Sequence, residues 1–134
     1  LIAVLSGPEP HRSRFENKVL KQLISANIES LLVRGIASQA NEMEQLSEHV
    51  QVVSYLASKE LQQAIVESEF VLCRSGYSSI MDLHQLGKKA ILIPTKGQSE
   101  QEYLANYLGG RKQFYAIQES QLDIPTALKK LSQQ

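Results

Sequence analysis

Short, near-continuous apolar runs alternate with stretches of helical period along the whole chain. No other feature of the sequence constrains the fold as strongly. The runs are "LIAVLS" (Leu1–Ser6), "ESLLVRG" (Glu29–Gly35), "VQVVSY" (Val50–Tyr55), "FVLCR" (Phe70–Arg74), "KKAILIPT" (Lys88–Thr95) and "QFYAI" (Gln113–Ile117). Each is too short for a helix of ordinary length and reads as a strand. Helical patterns fill Ser13–Asn27, Ser58–Ser68, Tyr77–Gly87 and Ser99–Gly110, and a last helix is expected from about Asp123-Ile124-Pro125. "ASQANEMEQLSE" (Ala37–Glu48) is polar and reads as a loop or a weak helix. Six strands alternating with helices predict an α/β fold with a parallel sheet. Unbroken apolarity within the strands means that both sheet faces are covered. With right-handed crossovers the result is a doubly wound, Rossmann-like, six-stranded parallel sheet with helices on both faces.

Local signals mark the helix ends. Phe15, Val19, Leu20 and Leu23 fall on one face of the first helix. Ser13 with Glu16, and Ser99 with Glu102, have capping-box spacing. Ser58 is placed to cap the second helix. Gly87 and the Gly109-Gly110 pair are stop signals. Asp123 is placed to cap the last helix, with Pro125 in its first turn, where a missing N–H costs little.

A length of 134 residues predicts one domain. Fourteen basic and fourteen acidic residues leave no net charge, so electrostatics argues for no nucleic-acid partner. A single cysteine rules out an internal disulfide framework and a multi-cysteine zinc site. His11, His49 and His84 are isolated, without metal-ligand spacing. No apolar run approaches the roughly 18 residues of a membrane span. The opening "LIAVLSG" already reads as core strand, with no initiator Met, and is expected to be an excised portion of a longer protein.

In doubly wound sheets ligands bind outside the carboxyl ends of the strands. Function is therefore expected in Ser6–Arg12, Arg34–Ala37, Tyr55–Ala57, Arg74–Ser79 and Thr95–Glu102. Arg34 and Tyr77 are candidates by that placement. "SGPEPHR" (Ser6–Arg12) holds one glycine, so neither a Walker loop nor a G-x-G-x-x-G fingerprint is present, which argues against a dinucleotide oxidoreductase. The loop reads either as a rigid connector or as a ligand-facing turn, in which Gly7 gives close approach and His11 or Arg12 gives positive charge. In "FVLCRSGYSSIMDL" (Phe70–Leu83), Ser75 and Gly76 fall at a helix start, where free N–H groups and the dipole suit an anion such as a diphosphate. Asp82, seven residues on, is expected to share a polar face with Ser75, Ser78 and Ser79, while Ile80 and Leu83 turn to the core. Spacing alone equally allows an N-cap serine and a solvated aspartate. Cys73 ends an apolar strand without a local base and reads as a packing residue rather than a nucleophile. Arg74 is either a source of positive charge or an exposed strand-end arginine. Gln98, Gln101 and Glu102 form a dense polar set suited to a sugar, although the Ser99 cap explains Glu102 as well.

"ESEFVLCRSGYSSIMDLHQLGKKAILIPTKGQSEQEYLANYL" resembles the C-terminal, donor-binding domain of GT-B-fold glycosyltransferases of family 28, of the lipid II-forming N-acetylglucosaminyltransferase type. The order strand, "RSG", helix, acid, "LGKKAILIP", "Q-x-x-x-Y" is the specific part. The resemblance implies that Ser75 and Gly76 receive a nucleotide diphosphate and that Asp82 stands where the family has an acid on the ribose hydroxyls. It implies that Gln101 and Glu102 stand at a Gln-Gln pair addressing the donor sugar, with Gln101 matching and Glu102 departing from it. Tyr55 and Leu56 would flank the uracil, and Gly7 matches the loop after the first strand. The implied donor is a UDP-sugar, bound without a cofactor or metal and without a catalytic residue in this domain. The acceptor site and the base would lie in an absent N-terminal domain, leaving this chain inactive alone. The parent would be cytoplasmic, at most peripheral at the inner face of the membrane. Two further classes share the fold: a nucleotide-sugar hydrolase, and a non-catalytic nucleotide-sugar-binding domain.

Overall fold

A computed structural model describes residues 1–37, 42–109 and 111–133. Residues 38–41 of the polar stretch and Gly110 of the glycine pair lie outside the described residues. The chain resolves into two compact units, Leu1–Ser68 and Glu69–Gln134.

The first unit contains strands β1 (Ile2–Val4), β2 (Ser30–Val33), β3 (Glu44–Gln45) and β4 (Val50–Val53), with helices α1 (His11–Ser25) and α2 (Ser58–Glu67). Its strand order is β3-β4-β2-β1. β1 and β4 both pair parallel with β2, in the registers Ala3↔Leu32 and Leu32↔Val52. Ile2 with Ala3, and Leu32 with Val33, are consecutive and buried. Neighbouring strand residues point to opposite faces, so both faces are covered, as the apolar runs require. Phe15, Val19 and Leu23, one turn apart on α1, are fully buried. Among the described strands, β3 is the one the alternation does not announce. Two exposed polar residues pair antiparallel with the edge of β4, Glu44 opposite Val52. So short an edge strand rests on backbone hydrogen bonds and needs no apolar side chain, which is why its sequence reads as loop.

The second unit contains β5 (Phe70–Cys73), β6 (Lys89–Leu92) and β7 (Phe114–Ala116), with α3 (Tyr77–Leu86), α4 (Ser99–Leu108), a short 3-10 turn (Glu119–Gln121) and α5 (Ile124–Gln133). The strands run parallel in the order β5-β6-β7, with Leu72 opposite Ile91 and Ile91 opposite Tyr115. Val71 to Cys73 and Ala90 to Ile93 are buried without a break, again the mark of two covered faces. α5 packs against β6 and β7 through Ile124, Ala127 and Leu131. The six expected strands and five expected helices are all present.

Helix boundaries follow the local signals only in part. Gly87 closes α3 in the left-handed conformation at φ 65°, with the Lys88 N–H returning to the Leu83 carbonyl at 3.1 Å, a Schellman closure. Asp123 caps α5, its Oδ1 accepting from the Thr126 N–H at 3.2 Å. The three serine caps do not form. α1 begins two residues before Ser13, and the Ser13 N–H donates instead to Glu9 Oε1 at 2.9 Å. Ser58 and Ser99 lie inside their helices, after Ala57 and Gln98, with no side-chain cap bond from either preceding residue.

Candidate functional site

In the second unit the carboxyl ends of β5 and β6 bring Ser75, Gln98 and Gln101 into one network, with Glu102 beside it. β5 ends at Cys73 and the chain turns through Arg74, Ser75 and Gly76 into α3. Ser75 is fully buried and its hydroxyl donates to the Gln101 carbonyl of α4 at 2.8 Å. It is therefore neither an N-cap nor part of the exposed face of α3; it ties the start of α3 to the first turn of α4. Gln101 is the hub. Its Oε1 accepts from the Thr95 N–H at 2.8 Å, and its Nε2 donates to Gln98 Oε1 at 2.8 Å. Glu102 Oε1 accepts from the Gly97 N–H at 3.3 Å, so this carboxylate holds the β6–α4 loop.

Gly76 is the N-cap residue of α3, in extended conformation, with no side-chain cap bond. A Cβ at Gly76 would meet nothing within 4 Å. The first turn of α3 thus presents N–H groups and the positive dipole end to open space, the local chemistry of an anion seat. Tyr77, Ser78, Ser79 and Asp82 are exposed while Ile80 and Leu83 are buried, the partition that the spacing predicts for those residues. Asp82 lies nearly two turns into α3, on the same exposed face.

Two neighbours of this network are structural. Cys73 is buried, and desolvation pushes its thiol from 9.0 up to about 12. Its thiolate is absent at neutral pH, so the packing reading holds. A raised pKa in the folded state means that the unfolded chain loses this proton first. The stabilising contribution is whole below about pH 9 and is lost as pH rises towards about 12. Accordingly, the urea midpoint of the wild-type protein should fall more between pH 8 and pH 10.5 than that of Cys73→Ala. Equal falls in the two proteins would show that Cys73 does not titrate differently on unfolding. Arg74 is neither exposed nor ligand-facing. It is buried, with Nη2 donating to Glu119 Oε1 at 2.8 Å and Nη1 to the Ile93 and Pro94 carbonyls at 3.4 and 3.3 Å. Nothing local pointed to Glu119, which lies 45 residues away.

The first unit has its own strand-end surface. Gly7 follows β1 at φ 106° with open space at its Cβ position, compatible with close approach of a ligand. Tyr55 is exposed and Leu56 half-buried just beyond β4. Gly35, after β2, is required sterically: at φ 79°, its Cβ would lie 2.5 Å from the Leu5 carbonyl oxygen. Behind these loops sits a charged cluster. Glu16, 8% exposed, accepts from Arg12 Nη1 at 2.7 Å and from Arg34 Nε at 3.1 Å. Arg12 is itself 6% exposed, so it is spent on internal contacts and does not supply charge to the loop surface. Glu9 accepts from the Ser13 N–H and hydroxyl, and the Ser13 hydroxyl bond chiefly holds the Glu9 carboxyl below its usual range. The capping-box spacing of Ser13 and Glu16 concealed the true partner of each. Among the described residues no group of three or more His, Cys, Asp or Glu is placed to hold a metal, and no helix is long and apolar enough to cross a membrane.

Comparison with known proteins sets these features in a family. A UDP-N-acetylglucosamine--N-acetylmuramyl-(pentapeptide) pyrophosphoryl-undecaprenol N-acetylglucosamine transferase of Histophilus somni is 26% identical over 107 residues, which is 79% of this chain and 28% of that protein. The chain thus spans less than a third of that relative. Among solved structures, the glycotransferase of kitacinnamycin superposes over 99% of this chain and 35% of its own, with a TM-score of 0.72 at 14% identity. The spinosyn rhamnosyltransferase SpnG, complexed with thymidine diphosphate, covers 98% of this chain and 40% of its own, with a TM-score of 0.58 at 14% identity. At such identities these two likenesses establish the fold, the one adopted by these glycosyltransferases. The model of the glycosyltransferase family 28 C-terminal domain matches residues 12–134, from the buried Arg12 to the last helix, and the chain belongs to that family.

Proposed function

We propose that this chain is a single nucleotide-sugar-binding domain, the donor half of a longer two-domain glycosyltransferase. The parent transfers a hexosyl or N-acetylhexosaminyl group from a UDP-sugar to an acceptor. The observation that carries this reading is the uncapped, unobstructed first turn of α3 beside the Gln101-centred network, in a chain of this family. The N–H groups after Gly76 receive the diphosphate, and Ser75 holds α3 against α4 so that the seat is preorganised. Tyr77 borders the seat and Asp82 accepts from the ribose hydroxyls. Gln98, Gln101 and Glu102 address the donor sugar. The Gln101–Gln98 bond and the Glu102 bond to the Gly97 N–H orient these side chains, and Glu102, unlike a glutamine, brings only acceptors to the sugar. In the first unit Gly7, Arg34, Tyr55 and Leu56 form the nucleotide-facing edge.

In the transfer, the bond between the anomeric carbon and the diphosphate breaks as the acceptor oxygen bonds to that carbon. The acceptor proton goes to a base in the other domain, and negative charge grows on the departing UDP. Backbone donors and a helix dipole already aimed at that charge stabilise it without reorganisation. This half binds and stabilises the leaving group but brings no base, so alone it is inactive. The parent works in the cytoplasm, peripheral to the inner face of the membrane when its acceptor is a lipid.

Calorimetric titration with UDP, UDP-GlcNAc, GDP and NAD tests the reading. UDP and UDP-GlcNAc should bind in preference to the other two. Asp82→Ala should weaken UDP binding about tenfold, the loss of one charge-assisted hydrogen bond, and Gly76→Val, which fills the open approach, should weaken it by blocking the helix end. Indifference to all four ligands would sink the donor-domain proposal. A preference for GDP would overturn the choice of base.

A further inference from the structure

We propose that Arg34 is the first unit's phosphate contact and that Glu16, clamped by Arg12, is the residue that positions it. This rests on the donor-binding reading and adds to it a phosphate ligand and its buried support.

The usual anion seat after a first strand is the N-terminus of the helix that follows it. Here that seat is already filled. Glu9 folds back so that its two carboxylate oxygens accept from the Ser13 N–H and from the Ser13 hydroxyl. A phosphate brought to the start of α1 would meet a carboxylate instead of open donors. Positive charge on this surface must therefore come from a side chain. Arg12 is excluded, since its guanidinium is committed to Glu16 at 2.7 Å, the Ser13 hydroxyl at 3.1 Å and Glu9 at 3.4 Å.

Arg34 is different. It follows β2 at the carboxyl end, next to Gly35, whose Cβ position presses on the Leu5 carbonyl at the end of β1. That places Arg34 at the base of the Ser6–Gly7 turn. Its backbone is held on both sides: its N–H donates to the Val53 carbonyl at 2.9 Å, and its own carbonyl accepts from Arg12 Nη1 at 3.4 Å. Its side chain is a quarter exposed, and Nε alone is occupied, by Glu16 Oε2 at 3.1 Å. Among the described residues the two Nη nitrogens meet no acceptor.

A guanidinium is planar, so one bond at Nε to a buried carboxylate sets both the plane and the direction of the remaining fork. A fork held in that way loses less rotamer freedom when it binds. Two parallel N–H donors on a fixed cation match the oxygens of a phosphate, whereas a neutral base or a sugar hydroxyl has no need of them. Glu16 never touches the ligand in this arrangement; it acts through Arg34, and Arg12 keeps the Glu16 carboxylate from turning away.

The test compares UDP with uridine, by calorimetry on the full-length protein. Wild type should prefer UDP. Arg34→Gln should lower UDP affinity about tenfold while leaving uridine affinity unchanged. Arg34→Lys should recover only part, since an ammonium cannot hold Glu16 and a phosphate in one plane. Glu16→Gln should also weaken UDP and spare uridine, and should add nothing in the Arg34→Gln background; a merely structural role would weaken both ligands and add to the loss. If Glu16→Gln does not fold, the two Arg34 variants decide. An unchanged UDP-to-uridine ratio in Arg34→Gln would overturn the inference while leaving the donor reading in place. A wild-type protein that binds neither UDP nor GDP would remove the donor reading and this inference with it.

Discussion

Glu16→Ala should cost about 3–5 kcal/mol of folding stability, the loss expected when one partner of a buried ion pair is removed. The reason lies in what remains. Arg12 is 7% exposed at its side chain, and without Glu16 its guanidinium keeps, among the described residues, the Ser13 hydroxyl, the Arg34 carbonyl and an exposed Glu9. An uncompensated charge so far from water is the costly state, and the attraction that has been lost is the smaller part. The double variant Arg12→Met/Glu16→Leu removes the two buried charges and keeps the volume, and Arg34, a quarter exposed, turns to solvent. It should therefore recover most of the stability, because well-packed apolar replacements of buried pairs are often neutral. Urea denaturation of the two single variants and the double variant measures this. If the double variant loses as much as the two single variants together, the charges do not act on each other and the argument fails. The Glu9 arm, exposed to solvent, should contribute little by comparison.

Gly35→Val should be nearly as damaging, for a different reason. Two penalties combine: a left-handed φ of 79° that a side chain resists, and a Cβ only 2.5 Å from a backbone oxygen. The first costs roughly 1–2 kcal/mol and the second about 1–3 kcal/mol. The backbone cannot slide to relieve the contact. The Leu5 N–H is bonded to the Val33 carbonyl, the Arg34 N–H to Val53 and the Ile36 N–H to Ser54, all at 2.9 Å. Gly7→Ala is the control, since Gly7 shares the positive φ but has open space at its Cβ position. Thermal melts should show a large drop for Gly35→Val and a small one for Gly7→Ala. Equal drops would mean that conformational strain, and not the close approach of β2's end to β1, makes Gly35 necessary.

Much of the fold was legible because its signals are local. Apolar runs of four to six residues, helical faces such as Phe15, Val19 and Leu23, the Gly87 stop and the Asp123 cap each depend on residues within a turn or two. The local geometry of the candidate site was legible in outline: Gly76 does open the first turn of α3, and Asp82 does share the exposed face with Ser78 and Ser79. Where one residue had two plausible partners, spacing chose wrongly. Ser13 and Glu16 matched a capping box, yet Ser13 turned back to Glu9 while Glu16 bound Arg12 and Arg34.

By itself the sequence determined the order and type of the main elements, the covered faces of the sheet and the family, because period, turn chemistry and motif order are written in neighbouring residues. Only the tertiary structure decided which polar groups are bonded to one another and which are left exposed. Ser75 is bonded across 26 residues to Gln101, Arg74 across 45 to Glu119, and Arg34 across 18 to Glu16. No local pattern encodes such pairings. They form where parallel strands deliver distant loops to one end of a sheet, and there burial makes each polar group seek whichever partner lies within reach.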